Sequence, residues 1–120
     1  MLRINRLEHR VTVVPFAASD ALGSVEFRVQ FGDAAQTAAA VRLEDVIPPG
    51  VGLVKMDIEG AEPAALRGMG RILSQEKPRL FIKAPDDEMV RRVLAEIAPH
   101  GCRPTGKVWN ATPTYEFTAA

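Results

Sequence analysis

Lys55, Asp57 and Glu59 alternate through the stretch from Val51 to Pro63, an apolar run that turns charged and then opens a helix. Val51 to Ile58 is short, β-branched and apolar on both parities, which predicts a strand buried on both faces of a parallel sheet. Side chains alternate along a strand, so Lys55, Asp57 and Glu59 share one face, with neighbours roughly 6 to 7 Å apart. They can therefore act as one group. Burying a lone charge is costly, so Lys55 is expected either to pair with a carboxylate or to sit at the strand's mouth. Gly60 allows a sharp exit, and Pro63 suits the first turn of a helix. Such a strand end is where α/β folds place their ligands. Asp57 and Glu59 would also serve simply as carboxylates favoured at the start of that helix. Two carboxylates without further Asp, Glu or His nearby fall short of a site for a hard metal ion, so no metal is expected.

The elements that must position this group belong to one small domain. A chain of 120 residues, 47% hydrophobic, suits a single globular unit that buries roughly two thirds of its unfolded surface. Fifteen Lys and Arg balance fifteen Asp and Glu without a block of like charge. Neither a nucleic-acid groove nor an anionic membrane partner is predicted. A lone Cys102 excludes an internal disulfide and fits a reducing, cytoplasmic compartment. No window approaches a membrane span, and Met1 to Arg10 lacks the apolar core of a signal peptide.

In chain order, Leu2 to Leu7 reads as the end of a helix, Val11 to Phe16 as a strand, and Val25 to Phe31 as a half-buried strand after a turn. Gly32 to Ala40 is Ala- and Gly-rich with weak periodicity and reads as a loop. Val41 to Leu43 reads as a short strand, and Glu44 to Ile47 as a helical turn stopped by Pro48 and Pro49. After Pro63 the stripe Ala65, Leu66, Met69, Ile72 and Leu73 predicts a helix running to Glu76, weakened by Gly68 and Gly70, for which close packing against the sheet is the expected compensation. Arg79 to Pro85 is the next strand, Asp86 or Asp87 caps a helix carrying Val90, Val93, Leu94 and Ile97, and Pro99-His100-Gly101 closes it. Cys102 to Trp109 and Thr114 to Thr118 complete the chain as paired strands. His9, His100, Trp109 and Tyr115 read as surface, capping or packing residues, and Cys102 as a small buried hydrophobe.

The order of elements, with Lys-x-Asp-x-Glu-Gly at its centre, resembles the FkbM-type family of S-adenosylmethionine-dependent methyltransferases. The resemblance lies in Leu43 to Ile47, Val54 to Glu62, Leu66-Arg67-Gly68 and Lys77 to Leu80, and upstream in Asn5 to Leu7 and Val11 to Gly23. It implies an α/β fold: a Rossmann-like class I methyltransferase sheet, mostly parallel, with an antiparallel terminal hairpin. It implies O-methylation of a hydroxyl on a sugar, polyketide or similar small molecule, with S-adenosylmethionine as the cofactor. Carried over, Ala17, Ala18 and Ser19 would lie at the adenine, and Asp57 and Glu59 would face the methyl group and the acceptor, oriented by Lys55.

The family's Gly-rich first strand and its acidic ribose-binding strand have no counterpart here, because Gly50-Val51-Gly52 and Gly68-Met69-Gly70 lack the strand-to-helix context. The chain therefore reads as one partial domain over 1–120, with a strand and hairpin unit at 1–31 and the second half of the sheet with two helices at 41–120. Family members also tend to carry Glu where this chain has Lys83. The two missing strands would lie between the Val11 and Val51 strands, a gap of about 14 Å at 4.8 Å per strand. The Val11 strand is expected to pair beside the Val51 strand, to pair with another chain as a homo-oligomer, or to be poorly ordered. Two functions follow: a methyltransferase, weak or inactive as this chain alone, or a non-catalytic assembly module that pairs through its open sheet edge.

Overall fold

The computed structural model describes residues 7, 9–28, 35–110 and 113–119. Two mixed sheets carry them. The smaller has β1 (Ala17–Ala18), β2 (Gly23–Arg28) and β3 (Ala35–Val41) in the order β1-β3-β2, with β1 parallel and β2 antiparallel to β3. β3 occupies most of the stretch expected to be a loop. Its alanines carry no periodic signal, and pairing with β2, from Gly23 opposite Ala40 to Arg28 opposite Ala35, makes it a strand. Residues 11–16 form no ladder, so the expected strand is not formed, and pairing begins just beyond it with the two residues of β1. The helix expected at 2–7 lies almost wholly outside the described residues.

A short helix α1 (Leu43–Val46) leads to the second sheet, which runs β4 (Leu53–Met56), β5 (Arg79–Lys83), β7 (Thr114–Ala119), β6 (Cys102–Trp109). Only β4 and β5 are parallel here; β5 with β7 and β7 with β6 are antiparallel. The expected antiparallel terminal hairpin is present, but the sheets are mixed rather than mostly parallel. Of the three arrangements expected for the Val11 segment, pairing beside β4 is not formed. Among the described residues, the edge of β4 away from β5 carries no strand.

Helices cover one face of this sheet. Leu80 and Ile82 of β5 are fully buried against α2 (Glu62–Arg67) and α3 (Asp87–Ile97), packing with Leu66, Met69, Val93, Ile97 and Phe117. Arg79 and Lys83 on the other parity remain accessible. β4 follows the same rule: Met56 is buried while Leu53 is 59% exposed. β4 is thus a half-buried edge strand, not a strand buried on both faces, because helices cover only one face.

α3 starts as its sequence predicts, with the Asp86 carboxylate accepting the Met89 N–H at 2.8 Å. It ends at Ile97 and tightens into a 3-10 turn over Ala98–His100 that closes at Gly101, whose φ of 85° suits a glycine. The helix after Pro63 does not run unbroken to Glu76. It stops at Gly68, and the chain rewinds into a wide π-type turn over Ile72–Glu76 that ends at a left-handed Lys77. The break coincides with close packing at Gly68. A Cβ there would overlap the Ser19 carbonyl oxygen and press on the Arg42 Cα at 3.2 Å. The small sheet rests on α2 through this contact.

Candidate active site

β4 ends at Met56, and residues 57–61 turn the chain into α2. Asp57 continues the parity of Lys55 along the strand, and Lys55 pairs in register with Phe81 of β5. Two residues further along β5 stands Lys83. Its ammonium lies 3.5 Å from the Asp57 carboxylate. Lys55, expected to be the orienting cation, forms no ion pair among the described residues. It lines a separate groove along the free edge of β4 with Leu43, Ile47 and Val51. The reason is geometric. A neighbouring strand is about 4.8 Å away, whereas the next same-face residue on one strand is roughly 6 to 7 Å away.

The turn itself is held by Glu62, which is 2% exposed. One carboxylate oxygen accepts the Ile58 N–H at 2.7 Å, and the other accepts the Gly60 N–H at 2.9 Å. Between those two amides stands Glu59, with φ of 57°, followed by Gly60 with φ of 99°. A left-handed backbone costs a residue with a Cβ about 1–2 kcal/mol, so the turn needs this support.

Two hollows flank the turn. A cleft of 390 Å³ is lined by Asp57, Glu59, Gly60, Glu62, Lys83, Pro85 and Met89. A larger hollow of 820 Å³ lies between the small sheet and the turn, lined by Val14 to Ser19, Val25, Glu26, Ala38, Ile58, Glu59, Ala61 and Ala64. Both lie within the roughly 300–1,000 Å³ of small-molecule sites. Ala17, Ala18 and Ser19 line the larger hollow and Asp57 the smaller, while Glu59 lines both. The structure therefore brings five of the six predicted site residues around two adjoining spaces and leaves out Lys55.

The wall bearing Ala17 to Ser19 is tied down from behind. The Ser19 N–H donates to the Val41 carbonyl at 2.9 Å. Arg67 of α2 donates to Asp20 at 3.1 Å and to Glu96 of α3 at 2.7 Å. The Arg67 hydrogen bond holds the Asp20 carboxyl below its usual range. On the other side, Glu76 accepts the Gly50 and Val51 amides and pairs with Arg71, which also donates to the Glu44 and Ile47 carbonyls. This network anchors the segment that enters β4.

Residues 5–103 match the family model of the methyltransferase FkbM domain. The chain belongs to the FkbM methyltransferase family. A crystal structure of a methyltransferase FkbM from Methylobacillus flagellatus KT is similar in fold, with a TM-score of 0.63 and 24% identity. That match covers 98% of this chain and 30% of the other, so this FkbM-family chain spans less than a third of that protein's length. A comparison with curated proteins found no match.

Sequence reasoning overlooked two features that build the site: Glu62, and Lys83 as the partner of Asp57. For Glu62 a signal existed. A carboxylate in the first helical turn, two residues after a glycine at a strand exit, is placed to accept the amides of that exit. The ion pair of Lys83 with Asp57 depends on a contact between elements distant in sequence, and no local pattern announces it. Among the described residues no cluster of His, Cys, Asp and Glu could hold a metal ion, and no helix is long and apolar enough to cross a membrane.

Proposed function

We propose that this chain is part of an S-adenosylmethionine-dependent O-methyltransferase domain acting on a hydroxyl of a sugar, polyketide or similar small molecule. The observation that carries this reading is Glu59, which lines both the 820 Å³ hollow and the 390 Å³ cleft. A transferase needs such a junction, because its donor and acceptor must meet in line at one point.

The larger hollow suits the donor. Ala17, Ala18, Ala38, Ala61 and Ala64 give it a wall of small apolar side chains fit for a flat base, and Glu26 and Glu59 add negative charge fit for a sulfonium. Bound there, S-adenosylmethionine would supply an electrophilic methyl group. Glu59 is placed to accept a hydrogen bond from an acceptor hydroxyl in the cleft. A carboxylate is a weak base toward an alcohol, so orienting the hydroxyl oxygen is the main contribution of Glu59. Asp57, held by Lys83, would accept from a neighbouring hydroxyl, while Pro85 and Met89 give the cleft an apolar side. Methyl transfer from labelled donor to a panel of hydroxyl compounds tests the reading. Glu59→Ala, which removes the acceptor altogether, should lower transfer by about a hundredfold if the side chain orients the hydroxyl, and an unchanged rate would remove Glu59 from the chemistry.

One observation favours the second reading, an assembly module. The free edge of β4 exposes Leu53 beside an apolar groove of 400 Å³, and unpaired edges of this kind recruit strands.

A further inference from the structure

We infer that Glu62 is the positioning residue of this site: its carboxylate, by accepting the amides on either side of Glu59, fixes the left-handed turn that holds Glu59 between the two hollows. The inference rests on Glu59 being the residue that meets donor and acceptor. The geometry is specific. Ile58 and Gly60 donate to different oxygens of one carboxylate at 2.7 and 2.9 Å, so the arch over residues 58–60 is gripped at both ends. Burial of Glu62 keeps water from competing for those amides. Gly60 takes its positive φ freely, but Glu59, which carries a Cβ, is unfavourable in the left-handed region without such a grip. Each oxygen of Glu62 takes a turn amide and the residue is 2% exposed, so its carboxylate is engaged by the turn and not presented to substrate. Although it borders the cleft, its part is to act through Glu59.

An amide side chain cannot replace it. Glutamine keeps one acceptor oxygen but turns an NH2 toward the second backbone N–H, losing one bond and opposing two donors. Aspartate keeps both oxygens but is one methylene short. Substitution should therefore release Glu59 from its left-handed conformation without dismantling the core, which lies among Leu66, Leu80, Val93 and Phe117.

The test has two arms. In the first, nuclear magnetic resonance of the ligand-free chain follows the amide shifts of Ile58 and Gly60 and the backbone shifts of Glu59 in wild type, Glu62→Gln and Glu62→Asp. Glu59 should leave its left-handed signature in Glu62→Gln, or in Glu62→Asp should the glutamine variant fail to fold. Retention of that signature in a folded variant overturns the inference. In the second arm, calorimetry measures S-adenosylmethionine affinity in a double-mutant cycle with Glu59→Gln. Glu62→Gln should weaken binding about tenfold in the wild-type background and by less than about threefold once Glu59 is already replaced. Equal losses in both backgrounds mean that Glu62 acts on folding alone, and overturn the inference. Absence of binding by the wild-type chain counts against the transferase reading, while the resonance arm still decides the role of Glu62.

Discussion

Replacing Gly68 with alanine should destabilise this chain, although its local backbone predicts the reverse. Gly68 ends α2 at φ −79° and ψ 6°, a conformation alanine adopts freely. On backbone entropy alone, alanine would stabilise by about 0.4–1 kcal/mol. Against this stands the small sheet: the new Cβ would overlap the Ser19 carbonyl oxygen and meet the Arg42 Cα at 3.2 Å. Both are backbone atoms, held by the Ser19-to-Val41 and Glu44-to-Gly68 hydrogen bonds, so neither can swing away as a side-chain tip would. Forcing such a shift costs about 1–3 kcal/mol. The steric effect wins, with a net loss of roughly 1–2 kcal/mol. At a urea slope of about 1.5–2 kcal/mol/M, the midpoint should fall by roughly 0.5–1 M. Gly70→Ala is the control, because the Glu44 carboxylate lies at an ordinary 3.7 Å from a Cβ there. It should be neutral or stabilising by up to about 1 kcal/mol. A Gly68→Ala variant as stable as wild type would refute the packing of the small sheet on α2, and with it the larger hollow.

Further outcomes follow from other contacts. The Glu76 carboxyl sits below its ordinary value of 4.5, chiefly through the Val51 amide, with the Gly50 amide and Arg71 acting in the same direction against the effect of burial. A depressed folded value means that its stabilisation is present above the unfolded pKa and lost as pH falls through the folded one. Glu76→Gln should therefore flatten the stability profile below about pH 4.5 in acid titrations followed by circular dichroism. Lys83→Ala should change stability by less than about 1 kcal/mol, since the Asp57 pair is partly exposed. It should nonetheless weaken acceptor binding more than Lys55→Ala does, as read by competition in the transfer assay. Leu53→Lys should abolish any concentration-dependent association seen by sedimentation, because a lysine on the free edge of β4 blocks strand pairing. Association unaffected by that change must use another surface.

Elements whose signals were local could be read from sequence nearly to the residue. Asp86 caps α3, Gly101 closes it, and Leu80 with Ile82 alternates inward as a covered strand should. Pairing across the chain could not be read. β3 is a strand because β2 lies beside it, and Ala35 to Val41 offers no pattern of its own. Both parities of Val51 to Ile58 are apolar, which suggests two covered faces, yet both helices pack on one. Asp57 and Glu59 were found from their spacing. Lys83 was not identified as the partner of Asp57, because interstrand register brings it close and no sequence interval encodes that register. Glu62 was hidden for another reason: a carboxylate at a helix start has an ordinary explanation, and only its burial and two amide partners reveal the grip on the turn.

Calorimetric titration with S-adenosylmethionine, on the wild-type chain and on Ala64→Leu, which places a bulky side chain in the wall of the larger hollow, tests the central assignment most directly. The account predicts a single site with Kd below about 1 mM, weakened at least several-fold by Ala64→Leu while the urea midpoint holds. Absence of heat up to several-fold that concentration, or equal binding by the filled variant, would contradict it.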